Sequence, residues 1–149
     1  MGMSIKEIMR NLLSPRFLYF YTVLGLLVPN VALCFTEQMP LTACVANVFL
    51  PLFAYSLLMS MSAKIGRQVW LLFLLVFFAA FQMVLIYLYG SGVIAVDMFL
   101  NLLTTNPGEA MELLDNLVPA VAGVFILYLP LLVIAAIQWT KHIMLDDKF

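Results

Sequence analysis

The chain has 149 residues, of which 65% are hydrophobic and only 10% charged, and its mean hydropathy is +1.09. Soluble domains are typically about 45–50% apolar, so this composition excludes an ordinary water-soluble globular domain. The formal net charge of −1 names no partner, because it hides a one-sided distribution of the basic residues.

The first sixteen residues form a segment of their own. Ile5, Ile8, Met9 and Leu12 recur at helical spacing, with Lys6, Glu7 and Arg10 on the other side. This pattern predicts an amphipathic helix lying on the cytoplasmic leaflet, where basic residues meet anionic lipid. Ser14-Pro15 then reads as the N-cap and first position of the next helix.

Four apolar runs follow, over 17–35, 41–61, 69–89 and 118–139, and none contains Lys, Arg, Asp or Glu. Each is close to the roughly 20 residues a helix needs to cross a hydrocarbon core about 30 Å thick. The expected fold is therefore all-α, a polytopic bundle of four transmembrane helices with amphipathic surface helices. Lys6, Arg10, Arg16, Lys64, Arg67, Lys141 and Lys148 all fall on one side of that bundle, which the positive-inside rule makes cytoplasmic. The other side receives Glu37, Asp97, Glu109, Glu112 and Asp115. The first run, with its basic flank, has some features of a secretory signal, but the bulky Leu33 before Cys34 and the three later runs favour an uncleaved span.

Cys34 and Cys44 are the only cysteines, both near the outer end of a run. They can pair if their Cα atoms come within about 7 Å; the alternative is two buried thiols acting as small hydrophobes. Two cysteines and one histidine argue against a metal site in this chain. Within the runs, Pro51 frees the carbonyl of Asn47 and Pro130 that of Ile126, so neighbouring groups must satisfy them. Such residues point to helix–helix contacts, and the lack of an ionisable group at mid-membrane argues against an ion-coupled transporter. Trp70 and Trp139 at one boundary, with Tyr87 and Tyr89 at the other, are interfacial anchors.

The segment 90–117 is different. Its part 90–116 holds four acids and no Lys or Arg. Gly90-Ser91-Gly92 ends the third run, glycine being a common helix stop. Val93, Val96, Leu100 and Leu103 give 93–104 a helical pattern, and Asn106-Pro107 can open a second helix. Two short periplasmic surface helices are expected, with Pro119 starting the fourth span.

Asn101, Thr105 and Glu109 stand here at a spacing of four. Glu109 has a local explanation: three residues after an Asn cap, it can close a capping box. Thr105 can likewise satisfy backbone groups at the helix start. It also has a ligand explanation. A helix starting at Pro107 directs unpaired N–H groups towards the Thr105 side, which favours an anion, while Glu109 can hold an ammonium. A zwitterionic headgroup offers both charges.

The stretch 101–114, Asn-Leu-Leu-Thr-Thr-Asn-Pro-Gly-Glu-Ala-Met-Glu-Leu-Leu, resembles the signature in the membrane domain of bacterial phosphoethanolamine transferases. That family includes the lipid A modifying enzymes and the transferable colistin-resistance (polymyxin-resistance) enzymes. The pattern Asn-x3-Thr-x3-Glu-Ala, between the third and fourth spans, carries the resemblance. It implies that Asn101, Thr105 and Glu109 bind the headgroup of phosphatidylethanolamine, the donor, in the bacterial inner membrane. It also implies a fifth span and a periplasmic catalytic domain with a threonine nucleophile and zinc, which passes phosphoethanolamine to a lipopolysaccharide acceptor. The chain ends at Phe149, before either, so it is expected to be inactive alone and to have no catalytic residue. Thr104 and Thr105 lack the base or metal cluster that a nucleophile needs. The rival expectation is a non-enzymatic four-span scaffold or small transporter subunit.

Overall fold

A computed structural model describes residues 11–90 and 107–145, with residues 89 and 107–116 described as backbone only. Five helices, and no strand, occur among the described residues: α1 Pro15–Thr36, α2 Leu41–Ser60, α3 Ile65–Leu71, α4 Phe73–Tyr89 and α5 Pro107–Thr140. The surface helix expected over 1–16 falls mostly outside them.

Local chemistry sets several of the boundaries. The Ser14 side chain accepts a hydrogen bond from the Phe17 N–H at 3.2 Å, and Pro15 occupies the first helical position, where its missing N–H costs nothing. At the end of α4, Gly90 adopts φ 67°, a left-handed conformation that glycine takes without a Cβ penalty. Pro40 precedes α2 in an extended conformation.

Among the described residues three helices are long and apolar enough to cross a membrane: α1, α2 and the Leu117–Thr140 part of α5. The third expected span is not one straight helix. It is a bent pair, α3 and α4, meeting at 64° around Leu72, and only if the pair counts as one crossing are there four. No proline or glycine stands at the bend, so the usual sequence causes of a kink do not apply. Its direction follows from what α3 is tied to, as described next. The expected break before Pro119 is also corrected. The helix continues from Pro107 to Thr140, so the second surface helix and the fourth span are one 34-residue helix. Pro119 and Pro130 lie inside it, and the exposed position of both leaves room for the local adjustments that proline needs.

Helix α1 is the centre of the bundle and packs against all four others, whereas α2 packs chiefly on α1. Leu18, Leu26, Ile65, Val69, Val76 and Leu131 form the buried core. In lipid, such packing is held by close approach and polar contacts rather than by hydrophobic expulsion. The closest approach is at Gly66. A Cβ there would lie 2.6 Å from the Ala135 carbonyl oxygen and 2.9 Å from the Trp139 nitrogen, so glycine lets α3 touch the backbone of α5.

The polar contacts cluster on backbone carbonyls. Tyr128 donates to the Gly25 carbonyl at 2.9 Å, and Tyr21 donates to the Leu127 carbonyl, so α1 and α5 exchange one tyrosine hydrogen bond each. Asn47 donates to the Asn30 carbonyl at 2.8 Å, joining α2 to α1. Near the end of α2, where carbonyls lack helical donors, Gln68 of α3 donates to Leu58 at 2.9 Å. Gln138 of α5 donates to the carbonyls of Leu13 and Ser14, both at 3.1 Å, and the Leu145 N–H donates to the Ala63 carbonyl at 2.8 Å. These last contacts gather the start of α1, the α2–α3 connection and the end of α5 at one end of the bundle.

Candidate functional site

That gathered end carries the basic residues. Arg16 opens α1, Lys64 and Arg67 flank the start of α3, and Lys141 follows α5. The opposite end holds the close of α1 at Glu37, the disulfide, the Gly90 cap and the start of α5. Of the predicted site residues, Glu109 belongs to this second end through its place at the start of α5.

Asn101 and Thr105 lie outside the described residues. Glu109 is the third residue of α5, in its first turn, and is described as backbone only. The start of α5 at Pro107 agrees with the expected one, so the unpaired N–H groups of a long helix begin where the sequence pattern requires.

The disulfide question is resolved in favour of pairing. Cys34 and Cys44 form a disulfide with Cα atoms 5.4 Å apart, and no free thiol remains. The bond closes the α1–α2 hairpin at the end opposite the basic residues. Asn47 reinforces the same place through its hydrogen bond to the Asn30 carbonyl.

Below the start of α5, an apolar groove runs between α4 and α5. Its upper part, about 180 Å³, is lined by Met83, Tyr87, Pro119, Ala120 and Gly123, among others. Its lower part, about 330 Å³, shares Val124 with the upper and is lined by Phe73, Phe77, Phe81, Phe125 and Leu132, among others. No charged residue lines either part, and Tyr87 and Tyr128 are the residues there with a hydroxyl. The sequence pattern did not reveal this groove. Gly123 was its one visible signal, because an exposed glycine inside an apolar helix leaves space that nothing fills: a Cβ there would meet no atom within 4 Å.

Among the described residues no three His, Cys, Asp or Glu side chains are placed to hold a metal ion. No protein-family model, curated protein or solved structure matches the chain.

Proposed function

We propose that this chain is the membrane domain of a phosphoethanolamine transferase of the bacterial inner membrane, and that it presents the headgroup of phosphatidylethanolamine through Asn101, Thr105 and Glu109. The observation that carries this reading is the start of α5 at Pro107, with Glu109 in its first turn. The positive end of that helix dipole suits the phosphate, and a carboxylate in the same turn suits the ammonium. The lack of Lys and Arg in 90–116 fits a donor that must be released after transfer. The zinc and the threonine nucleophile that the resemblance implies belong to a domain outside this chain, as does the lipopolysaccharide acceptor. The part of this chain is to anchor and to position.

Two features support a periplasmic placing of the site. Disulfides persist in oxidising compartments, and the Cys34–Cys44 bond is at the same end as the start of α5. The described basic residues, Arg16, Lys64, Arg67 and Lys141, stand at the other end, as expected of a cytoplasmic face.

The test is headgroup selectivity in the purified chain. Native mass spectrometry of the protein released from bilayers of equal phosphatidylethanolamine and phosphatidylglycerol should find the former retained preferentially. Glu109→Gln should lower that preference by about one to two decades, the worth of one charge-assisted hydrogen bond at about 1.5–3 kcal/mol. Glutamine still serves in a capping box. A Glu109→Gln protein with unchanged selectivity would therefore make Glu109 a cap and remove it from the site.

A further inference from the structure

We infer that the basic end of the bundle holds one dianionic phospholipid of the cardiolipin type. Lys64 and Arg67 at the start of α3, with Lys141 at the end of α5, grip its two phosphates. The inference rests on that end alone and goes beyond the headgroup reading.

Two backbone contacts make one surface of these residues. The Leu145 N–H donates to the Ala63 carbonyl at 2.8 Å, and a Cβ on Gly66 would lie 2.9 Å from the Trp139 nitrogen. Lys64 adjoins Ala63, Arg67 adjoins Gly66, and Lys141 lies between Trp139 and Leu145. The turn after α5 serves the same gathering. The Ile143 N–H donates to the Gln138 carbonyl at 3.1 Å and the His142 N–H to the Trp139 carbonyl at 3.2 Å, a pair of bonds that closes a helix around a left-handed residue. That residue is His142, at φ 52°, a conformation that a side chain disfavours. The turn sends the chain back to Ala63 and leaves Lys141 and His142 exposed at the rim. Another late carbonyl of α5 is also occupied: Ile137 accepts from the Lys141 N–H and the Thr140 hydroxyl, both at 3.0 Å. An approaching phosphate therefore meets cations rather than unpaired carbonyl oxygens.

Height and charge identify the occupant. Trp139, 49% exposed in the last turn of α5, carries an amphipathic ring of the kind that settles at headgroup level. Lys141 stands two residues beyond it, about 3 Å along the axis, so the cations lie at the level of the lipid phosphates. Among the described residues no carboxylate stands at this end, so these three positive charges have no described counter-charge. A lipid with one phosphate leaves most of that charge unmatched. Two phosphates on one glycerol bridge match it in a single molecule, and basic pockets between spans suit such a head group. Arg67 adds a planar fork that takes phosphate oxygens in pairs.

The experiment is native mass spectrometry of the full chain released from phosphatidylethanolamine nanodiscs. These are doped with cardiolipin or with phosphatidylglycerol at equal anionic phosphate content. One cardiolipin should be retained, at least about fivefold over phosphatidylglycerol, which is the worth of one basic residue near an anionic surface. Arg67→Gln and Lys141→Gln should each lower its retention about fivefold, and Arg67→Lys, which keeps the charge, should lower it less. Lys6→Gln makes the same charge change outside the site and should leave retention unchanged. Equal retention of the two lipids, or an equal loss in Lys6→Gln, overturns the site in favour of a diffuse basic face. So does undiminished retention in a protein with both Arg67→Gln and Lys141→Gln that elutes and melts like the wild type. If that protein does not fold, the wild-type comparison of the two lipids decides alone. Asp146 and Asp147, which follow Leu145 outside the described residues, supply the remaining rival. Retention that appears only with Asp146→Asn and Asp147→Asn puts the chain's own carboxylates on these cations and overturns the site. Glu109→Gln should leave cardiolipin retention unchanged, so this test and the headgroup test fail separately.

Discussion

The Tyr128 hydroxyl donates to the carbonyl of Gly25, the one group in α1 that Pro29 leaves without its helical N–H donor. A proline defect in one span is thus repaired by a side chain from another, 103 residues away. The reverse bond, from Tyr21 to Leu127, goes to a carbonyl that still has the Leu131 N–H four residues further along.

Tyr128→Phe should therefore cost more than Tyr21→Phe. Removing the Tyr128 hydroxyl strands a buried carbonyl, for which about 1–2 kcal/mol is expected in a membrane protein. Tyr21→Phe should cost less than half of that. Denaturant titration of the two variants in mixed micelles measures the difference. Equal losses would mean that the Pro29 defect has another partner.

Gly66→Ala should be among the most damaging single changes. Its Cβ would meet two backbone atoms of α5 below 3.0 Å, so the helices must separate. About 1–3 kcal/mol is typical of such overpacking. Gly25→Ala is the control, because its nearest neighbours are side-chain atoms at 3.6 and 3.9 Å. Thermal unfolding of the two proteins, followed by loss of monodisperse elution, should separate them by several degrees.

Protein prepared without reductant should take up no thiol-alkylating reagent, and should take it up at both Cys34 and Cys44 after reduction. Closing so short a loop restrains the unfolded chain by up to about 3 kcal/mol, so Cys34→Ser with Cys44→Ser should lower the unfolding temperature. Alkylation before reduction would show two free thiols.

In that same cysteine-free background, single cysteines at Ser91 and Ser62 report the orientation. An impermeant thiol reagent added to whole cells should label Ser91→Cys and not Ser62→Cys. Labelling of Ser62→Cys alone would invert the bundle and take the proposed headgroup site to the wrong side.

What could be read in the sequence was what local chemistry dictates. Ser14-Pro15 and Gly90 set helix ends through their own backbone preferences, and the apolar runs mark helices because nothing charged interrupts them. The bend at Leu72 left no local mark. It follows from long-range contacts, Gly66 on α5 and Gln68 on Leu58, which hold α3 while α4 takes another axis. Pro119 misled for the opposite reason: proline favours a helix start, yet the helix accommodates it where it faces outwards. The spacing of Cys34 and Cys44 could not decide between pairing and separate burial, since that depends on how closely two helices end. Of the site, the start of α5 was legible from Asn106-Pro107, while the groove was not, because it is made by the pairing of two helices.

The continuity of α5 has a mechanical consequence. A helix of 34 residues is about 51 Å long, some 20 Å more than the hydrocarbon core it crosses. Its apolar stretch Leu117–Thr140 matches the bilayer, so the ten residues from Pro107 stand beyond it like the handle of a lever. The fulcrum is the nearest pinned point, where Tyr128 donates to Gly25 and Leu127 accepts from Tyr21. Glu109 lies 19 residues from Tyr128, about 28 Å along the lever. A tilt of roughly 10° about that point sweeps Glu109 through roughly 5 Å.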